Sequence, residues 1–345
     1  RQPVVNLTVL SGKFSAPLNT SVYHVVTANG NIDSTAVLDG FTIRQGRADG
    51  SYLTQRKGAG IYMKQGASPT IEHCALINNH AEMGGGIYVG NGTPTIDSCL
   101  FKNNQADAGG GLYVNTGTPE ITRSTFLGNT AISFGGGVYI LSDAFIDTCL
   151  FHNNQANIDG GGLYGDANSN LSVLRSIFTN NSAENGGGAY ILSEAFIGTC
   201  FFHDNQANAE GGGLYAGVNS NLTVQRSIFT SNNAPHGGGI KTGGSADVQR
   251  SLFTGNGSNY GGGINATGGI LEVSKGLFNI NNGVTAGGGI FAGAGCVLSV
   301  DSVVFLKNYT EIRGGAIAAD NAEASLTLCL FSKNSARYGL SLIHI

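Results

Sequence analysis

The chain has 345 residues, a net charge of −4, a pI near 6.0 and only 12% charged residues. That balance gives no electrostatic footprint for nucleic acid, and no apolar run approaches the roughly 18 residues needed to span a bilayer. The 55 glycines lack the period of three that collagen needs, and six cysteines in a chain this long are too sparse for a disulfide scaffold.

In chain order, residues 1–57 come first. "NLTVLSG", "SVYHVV" and "AVLDGFTIRQGRA" read as short strands, with loops at 15–20 and 28–35. A stack of strands exposes unpaired edges at its ends, so this segment is expected to be an irregular cap with the first coils. The chain starts at Arg1 without a methionine or a leader, so a targeting segment is expected to precede it.

From 58 to 339 the chain repeats. Glycine triplets or near versions begin at 58, 84, 109, 135, 160, 186, 211, 237, 261, 287 and 314, a spacing of 24–27 residues that leaves no room for inserted loops. Residues 135–185 and 186–236 match at 35 of 51 positions, which points to duplication of a two-coil unit. Each repeat carries three strand-like pieces, such as "GIYV", "TPTID" and "CLFKNN". Pieces this short cannot form a sheet alone, but stacked on like neighbours they pair in parallel at about 4.8 Å per coil. The fold class predicted is all-β: a right-handed parallel β-helix solenoid of pectin-lyase-like architecture, with about eleven regular coils.

Columns of this stack can be read down the repeats. Ile61, Ile87, Leu112, Val138 and their successors after each triplet are apolar and should point inward. Leu76 and then Phe101, Phe126, Phe151, Phe178, Phe202, Phe229, Phe253, Phe278, Phe305 and Phe331 should stack as core rings. Three residues after each stands an asparagine, from Asn79 and Asn104 to Asn308 and Asn334. That column predicts a buried ladder of side-chain amides, with asparagine also suited to a left-handed corner. Cys74, Cys99, Cys149, Cys200 and Cys329 share a column with serine, glycine and valine, the signature of a small buried filler. The last six residues, "LSLIHI", break the pattern. They look like a translated sequencing adapter, so 340–345 is expected to be a non-native scar.

The paired motifs, "GGAI" at 314–317 with "GGGI" or "GGGL" elsewhere, and Phe-x-x-Asn as "FKNN", "FLGN", "FHNN" and "FTSN", resemble the repeat of the polymorphic outer membrane proteins. They also resemble the wider group of bacterial right-handed β-helix repeat proteins. The resemblance covers about residues 36–339 and implies a secreted or surface-displayed passenger, extracellular or on a bacterial outer-membrane surface, with adhesion as the commonest role.

Several columns carry candidate chemistry. Glu72 and Asp97 fall on one corner of successive coils, about 5 Å apart, near the carboxylate separation of a retaining glycosidase. The corner reads as convex and wet, which favours solvated turn charges. Glu82, Asp107, Asp159, Glu184 and Glu210 precede the triplets in uneven register, a poor cation cage. Arg123, Arg175, Arg226, Arg250 and Lys275 form a basic corner expected to aid solubility. His152 and His203 are two coils apart and too distant to share a metal. No metal site and no cofactor is expected. Tyr62, Tyr88, Tyr113, Tyr139, Tyr164, Tyr190 and Tyr215 occupy one column in seven successive coils. Alternation with inward neighbours sends them outward, so they are the candidate binding residues: an exposed stripe for a glycan or a host or cell-surface protein. The function expected is adhesion or structural display without catalysis; the alternative is a carbohydrate-active enzyme, a polysaccharide lyase or glycoside hydrolase of the pectin-lyase-like type.

Overall fold

A computed structural model describes residues 8–13 and 21–339, together with the backbone of 342–344. The loop expected at 15–20 and the rest of 340–345 lie outside the described residues. The chain divides into two compact units, Arg1–Asn157 with Gly161–Tyr164, and Ile158–Gly160 with Gly165–Ile345. Each is a stack of right-handed parallel β-coils. Among the described residues the one helical element is a 3-10 turn at Leu53–Arg56, and no helix is long and apolar enough to cross a membrane.

Each coil puts one strand into each of three sheets. In the first unit, Ile87–Val89, Thr95–Asp97 and Leu100–Lys102 form one such set. Registers join equivalent repeat positions without slip: Tyr88 to Tyr62 and Tyr113, Ile96 to Ile71 and Ile121, Phe101 to Leu76 and Phe126. A fourth, shorter sheet, absent from the reading of three strands per repeat, follows the asparagine column. It runs through Arg47–Ala48, His80–Ala81, Gln105–Ala108, Thr130–Phe134 and Gln155–Ala156 in the first unit. The N-terminal segment joins the same sheets: Val26–Asn29 pairs with Ile61–Lys64, Val37–Asp39 with Thr70–Glu72, and Thr42–Arg44 with Ala75–Ile77. Ala28 and Asn29 are therefore strand, where a loop was expected, because their backbone finds a ladder partner in the next coil. At the other end, the backbone of Leu342–His344 pairs with Ile317–Ala319.

The phenylalanine column fills the interior. Ring centroids of Phe101, Phe126 and Phe151 lie 4.5 and 5.0 Å apart. In the second unit the rings from Phe178 to Phe331 repeat at 4.6–5.1 Å, all close to parallel. The asparagine column is buried beside it. Asn104 Nδ2 donates to Asn129 Oδ1 at 3.1 Å and to the Leu76 carbonyl at 2.8 Å, while its Oδ1 accepts from both the backbone N–H and Nδ2 of Asn79 at 3.0 Å. The same pattern runs from Asn205 through Asn232, Asn256 and Asn281 to Asn308 and Asn334 in the second unit.

The left-handed residue of this corner is not the ladder asparagine. It is the residue before it: Asn78 (φ 55°), Asn103 (53°), Gly128 (63°) and Asn153 (54°) in the first unit. None of the ladder asparagines lies in the left-handed region. Space is tight where the triplet passes the core: a methyl at Gly86 would stand 2.9 Å from Phe101 Cδ1 and 3.4 Å from Asn104 Nδ2, and only alanine replaces glycine at this position, at the buried Ala316. In the cysteine column Cys74, Cys99, Cys149 and Cys200 are small buried fillers as read, while Cys329 in the last coil is only half-buried. Cys99 Sγ reaches the Asp97 carbonyl at 3.2 Å, and Ser124 Oγ does the same to Thr122 at 2.9 Å. Burial pushes the Cys149 thiol up to about 12, away from reactivity.

Candidate functional site

The tyrosine column points out of the coil interior but is not an exposed stripe. Tyr62, Tyr88, Tyr113, Tyr139 and Tyr164 are only 3–9% accessible, and in the second unit Tyr190 and Tyr215 are half-buried. Two causes are visible. Each ring covers its neighbour's face: Tyr88–Tyr113, Tyr113–Tyr139 and Tyr139–Tyr164 stack at 5.3, 4.8 and 4.7 Å, and Tyr190–Tyr215 at 4.5 Å. The segment entering each triplet then covers the outside. Phe134 meets the rings of Tyr139 and Tyr164 at 6.2 and 5.2 Å, His24 stacks on Tyr62 at 4.8 Å, and Lys57 Nζ reaches the Tyr88 hydroxyl at 3.2 Å. Burial raises the Tyr62 and Tyr215 hydroxyls above their usual range. A sugar cannot stack on ring faces that other rings occupy.

In the second unit Lys241 continues this column, in register with Tyr215, and it is buried at 4% accessibility. Its Nζ donates to Thr267 Oγ1 and to the Thr242 carbonyl. Burial holds its ammonium below the ordinary lysine range.

Of the corner pair, Asp97 is held by partners rather than poised as an acid. Glu72 and Asp97 are register partners, as expected. Burial would raise the Asp97 carboxyl, but Thr122 Oγ1 and Arg123 Nη2, each at 2.6 Å, outweigh it and hold it below its usual value. An acid so held is not a proton donor near neutrality. Asp39, Glu72 and His73 bring ligand-type atoms within 4.8 Å of one another on the same corner. That trio is a solvated pair of His73 Nδ1 with Asp39 Oδ1 at 2.9 Å, plus one carboxylate, and the Asp39 hydrogen bond raises the imidazole. The second acidic set splits as its spacing foretold. Glu82 pairs with Arg56 at 3.0 Å. Asp159 and Glu210 occupy another column with Asn185 between them, and burial, with the Glu184 charge adding to it, raises the Asp159 carboxyl. Of the histidines, His203 Nε2 lies 2.8 Å from Asp204.

What the columns missed is the outward face of the short sheet. In the first unit Arg47, His80, Gln105, Thr130 and Gln155 are successive register partners there. Three clefts open along them. The largest, about 710 Å³, lies between Tyr23, Gln45, Arg47, Asn78 and His80. One of about 300 Å³ continues past His80 along Gln105, Thr130, Gln155 and Asn157. A third, about 270 Å³, opens toward Asp49, Arg56, Glu82 and Asp107. His80 borders all three, so they adjoin one another around it along this face. In the second unit a cleft of about 250 Å³ lies on the equivalent face, lined by Asn233, Ser258, Asn259 and Asn282. Amides and hydroxyls line the cleft along Gln105, Thr130 and Gln155, charged side chains join them around Arg47, Asp49, Arg56, Glu82 and Asp107, and exposed Tyr23 and Ile132 add apolar patches. The signal was in the sequence, as "NNH", "NNQ", "GNT" and "NNQ" at the residue after each ladder asparagine. It was overlooked because a polar residue there reads as an ordinary turn.

Residues 59–225 match the family model described as a right handed beta helix region. A comparison with curated proteins gave no match. The match and the stacked parallel sheets together support a right-handed β-helix repeat protein.

Proposed function

We propose that this chain is a non-enzymatic β-helix of a secreted or surface-displayed protein, acting as an adhesin that holds an extended, hydroxyl-rich glycan along the groove of the short sheet. The observation that carries this reading is the amide and hydroxyl column Gln105, Thr130 and Gln155, continued by His80 and Arg47. Such groups donate and accept hydrogen bonds at the strand repeat of about 4.8 Å, matching a linear polymer laid along the axis.

A second reading rests on the smallest of the three clefts, where Asp49, Glu82 and Asp107 meet Arg56 and His80. Clustered carboxylates beside a cation suit a carbohydrate-active enzyme. Against it, Asp49 and Glu82 are each engaged by an arginine, at 2.5 and 3.0 Å. A panel of linear xylan, β-glucan, galactan and polygalacturonate separates the two. The adhesin reading expects retention of at least one polymer with no reducing or unsaturated ends released, with or without calcium. Turnover that disappears in Glu82→Gln or Asp107→Asn would install the enzyme instead.

A further inference from the structure

The outer face of the phenylalanine sheet in the second unit carries a continuous apolar row. Ile177, Phe201, Ile228, Leu252, Leu277, Val304 and Leu330 are successive register partners on seven coils. Ile177, Ile228 and Leu330 are 42, 37 and 58% accessible, and the others are half-buried. At about 4.8 Å per coil the row is roughly 29 Å long. The same strands present a parallel row that is mostly hydroxyl and amide: Thr179, His203, Thr230, Thr254, Asn279, Leu306 and Ser332.

Charge is sorted around this face. The corner before the apolar row holds Arg175, Arg226, Arg250 and Lys275, and the corner after it holds Lys307 and Lys333, all in left-handed backbone that turns them outward. The unit has nine lysines and arginines against twelve acids, so it is net negative (9 − 12 = −3). Six of its nine basic residues nevertheless stand in these two corner columns, with Asp204 as the one acid among them. Arg226, Arg250, Lys275, Lys307 and Lys333 are exposed and make no ion pair among the described residues.

We propose that this face docks on an anionic lipid bilayer surface, with the apolar row entering the headgroup–acyl boundary and the basic columns meeting lipid phosphates on either side. A straight apolar row one residue wide, bordered by cations, has the charge and polarity of an interfacial segment lying flat on a membrane. A second copy of the chain fits less well, because face-to-face contact would set basic columns against each other. A soluble polyanion would satisfy the arginines and lysines but leave the apolar row in water.

The test uses the full chain and sedimentation with vesicles of phosphatidylcholine alone or mixed equally with phosphatidylglycerol. Binding to the anionic vesicles should exceed that to the neutral ones by about tenfold or more, and should weaken in about 0.5 M salt. Arg226→Gln with Arg250→Gln should lower it by a similar factor. Ile228→Thr with Leu252→Thr, which keeps strand-favouring side chains, should lower it as well while the circular dichroism spectrum is unchanged. Absence of binding to anionic vesicles at low salt overturns the proposal. So does unaltered binding by the threonine variant, or equally tight capture by dextran sulfate that blocks vesicle binding, since either result assigns the face to simple polyanion contact.

Discussion

Replacing Asn104 by alanine removes one rung of the buried amide ladder, and the loss can be counted. Two bonds donated by Asn104 Nδ2 disappear, to Asn129 Oδ1 and to the Leu76 carbonyl. Two accepted by Oδ1 disappear as well, from the Asn79 backbone N–H and from Asn79 Nδ2. Asn79 Nδ2 keeps the Ile43 carbonyl at 3.1 Å. The Asn79 N–H has no such second partner, and its residue is 1% accessible. Four bonds at about 1 kcal/mol each, with an orphaned buried donor adding cost and local water entry relieving part of it, give a destabilisation of about 3–5 kcal/mol. Urea unfolding followed by circular dichroism measures it, and hydrogen exchange at the Asn79 amide should accelerate most. Asn104→Asp should be at least as damaging, because it turns the two-donor amide toward two acceptors as a carboxylate. A loss below about 1 kcal/mol for the alanine variant, with Asn79 exchange unchanged, would refute the ladder as a source of stability.

The remaining predictions concern the other columns. Tyr113→Ser, Tyr139→Ser and Tyr164→Ser together should lower stability by about 0.5–1.5 kcal/mol per lost ring pair beyond the area term, measured by thermal melting. Lys241→Met should raise the melting temperature at neutral pH. The folded state holds this ammonium's pKa below its unfolded value, so the native lysine is least costly above about pH 10.4 and costs more as pH falls through its lowered folded value. The advantage of methionine should therefore vanish in strong alkali. Asp97 has the opposite consequence for acid: its lowered pKa contributes stability above the unfolded value of about 3.9, lost as pH falls through the folded value. Asp97→Asn should then be less stable than the parent at neutral pH and converge with it in acid, read by melting curves across pH.

The architecture was legible because one repeat constrains every other. Phe101 and Asn104 recur at fixed offsets, and a column of identical residues has one stacked solution, so register followed from spacing alone. The side of the strand on which Tyr88 lies was also legible, from Ile87 and Val89 beside it. Its burial was not. Alternation says which way a side chain leaves its own strand but not what the next segment lays over it: Phe134 arrives from the end of a fourth-sheet strand, and Lys57 from the segment that enters the triplet at 58. The same blind spot hid the groove. His80, Gln105 and Gln155 follow a left-handed corner whose chain continues as strand, and only the backbone course shows that they share a face. Lys241 follows Tyr215 in the tyrosine column, where the aromatic ladder stops in the sequence, but spacing does not reveal that the fold carries it into the same covered layer.

The proposed glycan site is the amide and hydroxyl groove and not the tyrosine column. Titration calorimetry with the polysaccharide best retained by the parent, run on Gln105→Ala with Gln155→Ala and separately on the triple tyrosine variant, tests it most directly. Loss of about 1–2 kcal/mol of binding energy in the groove variant, with the tyrosine variant binding as the parent does below its melting temperature, is the result expected. Unchanged affinity in the groove variant, or a loss confined to the tyrosine variant, would contradict it.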